Sequence, residues 1–146
     1  MFRLSADRGR YRNEARGLLH GGAPTPEQAY ALPLLDRVIK ESMRLLPSVI
    51  YTLRQATDSF ELGGHPFVKG SGVIVSHYIT HRLPEVYSHP RRFDPARWEH
   101  LSPSPYEYIP FSAGSRLCIG ATFASLEMRV ILAVLLQRVQ IEPVGG

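Results

Sequence analysis

The chain has 146 residues, 44% of them hydrophobic, enough for one core that buries about two-thirds of the unfolded surface. Its formal charge of +4 is carried by 15 arginines against only two lysines, Lys40 and Lys69. A single cysteine excludes an internal disulfide and a cysteine-cluster zinc site, and the longest strictly apolar run, VILAVLL at 130–136, is too short to span a bilayer.

Arginine is the residue of planar, bidentate anion contacts, so carboxylate or phosphate partners are worth seeking. Five arginines crowd the opening MFRLSADRGRYRNEARG. A nucleic-acid arm would interleave that charge with an aromatic platform, which Phe2 and Tyr11 alone do not make, so the stretch reads as a solvated helix face. No apolar leader segment precedes it. Together with the cysteine usage this points to a cytoplasmic chain that binds no nucleic acid and carries no membrane segment. The polar lead-in, 1–23, runs out at HGGAP, a linker signal.

Thr25, Pro26 and Gln28 in TPEQ form a capping box, with proline at the first helical position. PLLDRVIKESMRLLP (33–47) is an amphipathic helix bounded by prolines, with Leu34, Leu35, Val38, Ile39, Leu45 and Leu46 on one arc. Glu41 falls at the edge of that arc. A carboxylate there is part-buried and needs partners beyond Arg44, which lies three residues on.

From Tyr51 to Tyr78 the signals are β: YTLRQAT, FEL, PFV and VIVSHY, separated by the turn formers GGH and KGSG. KGSG is too short for a phosphate loop and reads as a hairpin turn. His77 and His81 have zinc-chelating spacing, but no glutamate follows His77, and ordinary packing is the better reading. Six of the twelve prolines then fall between Pro84 and Pro110, a long aperiodic stretch of a kind that is usually functional. The helix that closes the chain, ATFASLEMRVILAVLLQRV (121–139), is apolar nearly all round from Val130 to Leu136, the mark of a helix inside a protein.

Between the proline-rich stretch and that helix lies FSAGSRLCIG (111–120). A lone cysteine is most often a small buried hydrophobe. Here Gly114 can turn the chain with a positive φ, and Gly120 lets something flat and large approach the backbone. Cys118 lies just before a helix start, where free N–H groups and the dipole favour thiolate, and Arg116 is placed for an anion on the same ligand.

Phe111, Gly114, Arg116, Cys118 and Gly120 at this spacing closely resemble the haem-binding signature of the cytochrome P-450 superfamily. Ser112 departs from it, the family more often having glycine there. Glu41 and Arg44 match the family's E-x-x-R motif, and Arg97 in HPRRFDPARW matches its third member, a structural rather than catalytic set. The resemblance implies haem b, with Cys118 as the axial thiolate and Arg116 on a propionate. It implies the same for Arg54, whose competing reading is a strand-surface charge. PSVIY (47–51), with Ser48, Val49 and Ile50, resembles the stretch lining the substrate side of the haem.

The expected fold is α+β, mainly α: the C-terminal, proximal part of the P-450 fold. Its segments are the lead-in (1–23), the Glu/Arg helix (24–47), a small sheet (48–83), the meander (84–110), the haem-ligand loop (111–120) and an internal helix (121–140). The expected function is that of a haem-thiolate monooxygenase acting on a small organic substrate. Electrons would come from a ferredoxin or a flavoprotein reductase docked near Arg91, Arg92 and Arg116. The family's distal helix and its final hairpin beyond IEPVGG find no counterpart, so a truncated or fragmentary form is expected, incapable of turnover alone. Two other readings remain open: a haem-binding fragment without turnover, and a non-haem basic interaction module in which Cys118 is core.

Overall fold

The computed structural model describes residues 8–139. The start of the lead-in and the IEPVGG tail therefore lie outside the described residues. Five helices and two small antiparallel ribbons follow one another along the chain. They are α1 (Arg8–Leu19), α2 (Pro26–Tyr30), α3 (Pro33–Leu45), β1 (Tyr51–Gln55), β2 (Phe60–Leu62), β3 (His65–Phe67), β4 (Gly72–Ser76), α4 (His77–Thr80) and α5 (Ala121–Arg138).

Helix α2 opens on the reciprocal capping box: Gln28 N–H donates to the Thr25 hydroxyl at 3.3 Å, and Thr25 N–H to Gln28 Oε1 at 2.9 Å. Pro33 then breaks α2 from α3, because it must sit in a first turn. Residue Leu32 gives α3 no side-chain cap. Glu14 of α1 supplies it instead, accepting from Leu34 N–H at 2.9 Å and Leu35 N–H at 3.1 Å. A carboxylate at a helix N-terminus meets both the free donors and the positive end of the dipole. The basic lead-in is thus built into the core, with Ala15 and Leu19 buried.

Leu19, Leu32, Leu35, Ile39 and Ala133 form the core, with Met43, Met128, Leu132 and Leu136 packed around them. Within the arc read on α3, Leu35, Ile39 and Leu45 are buried and Leu34 and Val38 half-buried, but Leu46 is 80% exposed. It lies past the last helical residue, where the periodicity no longer fixes direction. Helix α5 packs through one face only, leaving Phe123, Ile131 and Leu135 exposed along an otherwise apolar helix.

The single small sheet expected over 48–83 is two separate ribbons. β1 pairs with β4, Tyr51 opposite Ser76 and Gln55 opposite Gly72, while β2 pairs with β3. Gly63 and Gly64, with φ of 59° and 78°, make the two-residue turn that right-twisted strands favour. KGSG is a turn but not a hairpin, since β3 and β4 do not pair. The fourth strand also ends early. The Ser76 hydroxyl accepts from Ile79 N–H at 3.2 Å and starts α4 where the apolar run alone suggested continued strand.

Candidate functional site

Two charged side chains of α3, Glu41 and Arg44, are each 0% exposed. Arg44 uses all five of its N–H donors. Nε and Nη2 fork onto Glu41 Oε2 and Oε1, both at 2.9 Å. Nη1 donates to the carbonyls of His81 (2.8 Å) and Pro90 (2.7 Å), and Nη2 also to that of Arg92 (3.1 Å). Tyr87, itself fully buried, covers the guanidinium from 5.1 Å. Its hydroxyl donates to the Glu107 carbonyl at 2.9 Å, and burial pushes its pKa up to about 12.

Glu41 gathers the meander. Oε1 accepts from Asp94 N–H at 2.8 Å and Arg97 Nε at 3.1 Å as well as from Arg44, and Oε2 accepts from Trp98 Nε1 at 3.0 Å. Burial pushes this carboxyl up, but the Arg44 and Asp94 hydrogen bonds and the two guanidinium charges outweigh it, so its pKa lies below the ordinary value. Arg97 also donates to the Ser88 carbonyl at 2.8 Å and shares the Arg92 carbonyl with Arg44 at 3.3 Å. The proline-rich stretch has little helix or strand of its own beyond a 3-10 turn at Pro95–Glu99. It is shaped by these buried donors. Trp98 belongs to the network and carried no such signal in the sequence.

The meander delivers the chain into the cysteine loop. His81 Nε2 accepts from Ile109 N–H at 2.8 Å, which requires the neutral ring with its proton on Nδ1. Two positive-φ residues then shape the loop, Gly114 at 64° and Ser112 at 68°. Cys118 N–H donates to the Phe111 carbonyl at 2.9 Å and closes the loop, and the Cys118 carbonyl accepts from Ala121 N–H at 3.2 Å, where α5 begins. The thiol is exposed.

Leu117, Ile119 and Phe123, 58%, 104% and 70% exposed, surround it with uncovered apolar surface. Gly120 has φ −86°, so its backbone does not require glycine, and a Cβ there would meet only Cys118 Sγ, at 3.9 Å. The bare backbone therefore meets no close neighbour but that sulfur among the described residues. An exposed Arg116, with no hydrogen bond or ion pair among the described residues, completes a surface suited to a flat apolar ligand bearing anionic groups. That description fits haem.

Arg54 lies apart in sequence on the exposed ribbon, bonded among the described residues to the carbonyl of its neighbour Leu53 at 3.2 Å. His77 and His81 are buried as packing residues would be, but His77 has no hydrogen-bond partner on either ring nitrogen among the described residues.

Residues 9–146 match the sequence model of the family described as Cytochrome P450. The chain belongs to the cytochrome P450 family. It is 44% identical over 125 residues to "Cytochrome P450 4c21" of Blattella germanica, covering 84% of this chain and 25% of that protein. It is 37% identical over 135 residues to "Putative cytochrome P450 139" of Mycobacterium tuberculosis (strain ATCC 25618 / H37Rv), covering 89% of this chain and 31% of the relative. Against "Sterol 14alpha-demethylase" of Mycolicibacterium vanbaalenii the identity is 39% over 115 residues, 76% of this chain and 25% of the relative. The chain thus spans about a quarter to a third of the length of these curated relatives.

Membership in the P450 family implies a haem cofactor. No described helix is long and apolar enough to cross a membrane. As a P450 segment the chain falls into two parts: a buried charge network that folds the meander, and an exposed loop that it sets in place. The half-buried Tyr108 ties the two, donating its hydroxyl to the Lys40 carbonyl at 3.1 Å while its ring lies 5.4 Å from that of His81.

Proposed function

We propose that this chain forms the haem-thiolate portion of a monooxygenase, with Cys118 as the axial ligand of haem iron. The observation that carries the reading is the exposed sole thiol, held on a loop closed by Phe111 and ringed by uncovered apolar side chains. When bound, the haem supplies dioxygen activation, and a thiolate ligand pushes electron density toward iron and favours O–O cleavage.

The chain's own residues have separate tasks. The left-handed turns at Ser112 and Gly114 aim the loop, and Gly120 leaves room for the ring to approach the backbone. Arg116 and Arg54 neutralise the propionates. Leu117, Ile119 and Phe123 exclude water from the proximal face. Glu41, Arg44 and Arg97 hold the meander that positions the loop and touch no reacting atom. The exposed Arg91, Arg92 and Arg116 offer positive charge to an acidic electron donor, a ferredoxin or a flavoprotein reductase. The substrate is a small organic molecule that gains one oxygen atom.

The test is spectroscopic. Chain supplied with haem, reduced and exposed to carbon monoxide should give the red-shifted Soret band of thiolate ligation. Cys118→Ala should remove the band. A band of unchanged position in the variant overturns the assignment.

A further inference from the structure

The His81 side chain is fully buried and takes no part in the Glu41 charge network, although its carbonyl accepts from Arg44 Nη1 at 2.8 Å. Its Nε2 accepts from Ile109 N–H at 2.8 Å. That bond puts the ring proton on Nδ1, and Nδ1 has no hydrogen-bond partner among the described residues. Leaving a buried N–H unmet is costly, so the ring is oriented for what Nε2 does. Burial first, and then the positive His77, Arg44 and Arg82 groups, lower its pKa to about 4. The ring therefore stays neutral and its acceptor lone pair stays available.

Ile109 stands at the end of the meander. Its carbonyl accepts from Ser112 N–H at 3.0 Å, closing the turn that ends at the left-handed Ser112 and fixing Phe111 within it. The Phe111 carbonyl accepts in turn from Cys118 N–H at 2.9 Å. Three hydrogen bonds thus lead from the His81 ring to the backbone of the thiol residue.

We propose that His81 is a positioning residue for the axial thiolate, its ring acting through Ile109 and the Phe111 turn to set the loop from which Cys118 meets haem iron. The inference rests on the haem reading above and adds to it a determinant at the end of α4, far from the loop in sequence. Groups behind a metal ligand fix its direction and tune it, and a loop whose entering N–H is adrift has no fixed aim. Because Arg44 holds the His81 carbonyl, this one residue also joins the buried charge network to the loop.

The test compares His81→Leu, which fills the space without an acceptor, with His81→Gln, whose amide oxygen can accept from Ile109 N–H. Each full chain is supplied with haem, reduced and exposed to carbon monoxide, at a folded fraction matched by circular dichroism. His81→Leu should lose most of the red-shifted thiolate band to the unshifted form, and His81→Gln should keep it. A histidine that only stabilised the fold would lower the folded fraction and leave the band of the folded chain in place. A wild-type band in His81→Leu, or equal loss in both variants, overturns the proposal.

A second measurement needs neither haem nor a variant. In the wild-type chain the Ile109, Ser112 and Cys118 amides should exchange with solvent as one unit, and nitrogen NMR should find His81 Nε2 unprotonated. A Cys118 amide that opens more readily than Ile109 by roughly tenfold, or a proton on Nε2, overturns the proposal even where His81→Leu fails to fold. A Cys118→Ala chain that keeps the thiolate band defeats the haem reading and this proposal with it. Loss of the band in Cys118→Ala with its persistence in His81→Leu defeats this proposal alone.

Discussion

The indole Nε1–H of Trp98 donates to Glu41 Oε2 at 3.0 Å, the same carboxylate oxygen that receives Arg44 Nε. A tryptophan from the meander thereby completes the hydrogen bonding of a fully buried carboxylate. Trp98→Phe keeps the apolar contact and removes the donor. A hydrogen bond to a charged group contributes about 1.5–3 kcal/mol, so the variant should lose that much in urea unfolding followed by circular dichroism. A loss below a few tenths would show that Glu41 does not depend on the indole.

Glu41 and Arg97 should behave as one unit. Removing Glu41 leaves the buried Arg44 uncompensated, at about 3–5 kcal/mol, while removing Arg97 leaves Glu41 its Arg44 pair and loses one charged hydrogen bond, about 1.5–3 kcal/mol. Glu41→Ala and Arg97→Ala should cost those amounts, and the double variant less than their sum. Additive losses in a double-mutant cycle would mean that the two side chains act independently.

Ser112 holds φ 68° in the left-handed region, a conformation that costs a residue with a Cβ about 1–2 kcal/mol more than it costs glycine. Ser112→Gly should stabilise the chain, by up to about 1 kcal/mol after the extra entropy of glycine in the unfolded chain is subtracted. Ser112→Val should destabilise it, since branching at Cβ makes that region still less accessible. Denaturation midpoints of the pair decide the matter, and equal midpoints would show that the turn carries no strain.

Acidification should weaken the fold in two stages. His81 is held at about 4, by burial first and then by the His77 charge, whereas an unfolded histidine titrates near 6.5. Between those values the unfolded chain binds the extra proton, so stability falls as pH falls, by up to about 1.4 kcal/mol per pH unit. His77, also held low, acts in the same sense below 6.5. Glu41 enters later: its folded pKa lies below 4.5, so its contribution is present above 4.5 and lost below it. His81→Gln should flatten the stability profile between pH 6.5 and 4 and leave the steeper acid limb. A profile unchanged by that substitution would remove His81 from the explanation.

Features encoded within a few residues were readable from the sequence. The capping box at Thr25 and Gln28 needs a span of four residues, and the arc of α3 declares its own period. Glu41 drew attention because a carboxylate at the rim of an apolar arc demands partners. What those partners would be was not written nearby. The cap on α3 comes from Glu14, twenty residues earlier in another helix, and nothing about Glu14 marks it for that role. Trp98 is 57 residues from Glu41 and reads as one more aromatic in a proline-rich loop. Strand existence was visible in the β runs, but pairing was not: short apolar runs do not say that β4 returns to β1 over the β2–β3 hairpin. The left-handed Ser112 was hidden for a plainer reason. Serine gives no sign of φ, as glycine does.

The Glu41 hub also sets a timetable. Its meander partners Asp94, Arg97 and Trp98 follow it by 53, 56 and 57 residues. At about 5–20 residues per second of synthesis, α3 emerges roughly 3–10 seconds before the chain that encloses its carboxylate exists. Through that interval Glu41 has only Arg44, and the apolar arc beside them lacks the later α5. Contacts of such long separation form late and fold slowly.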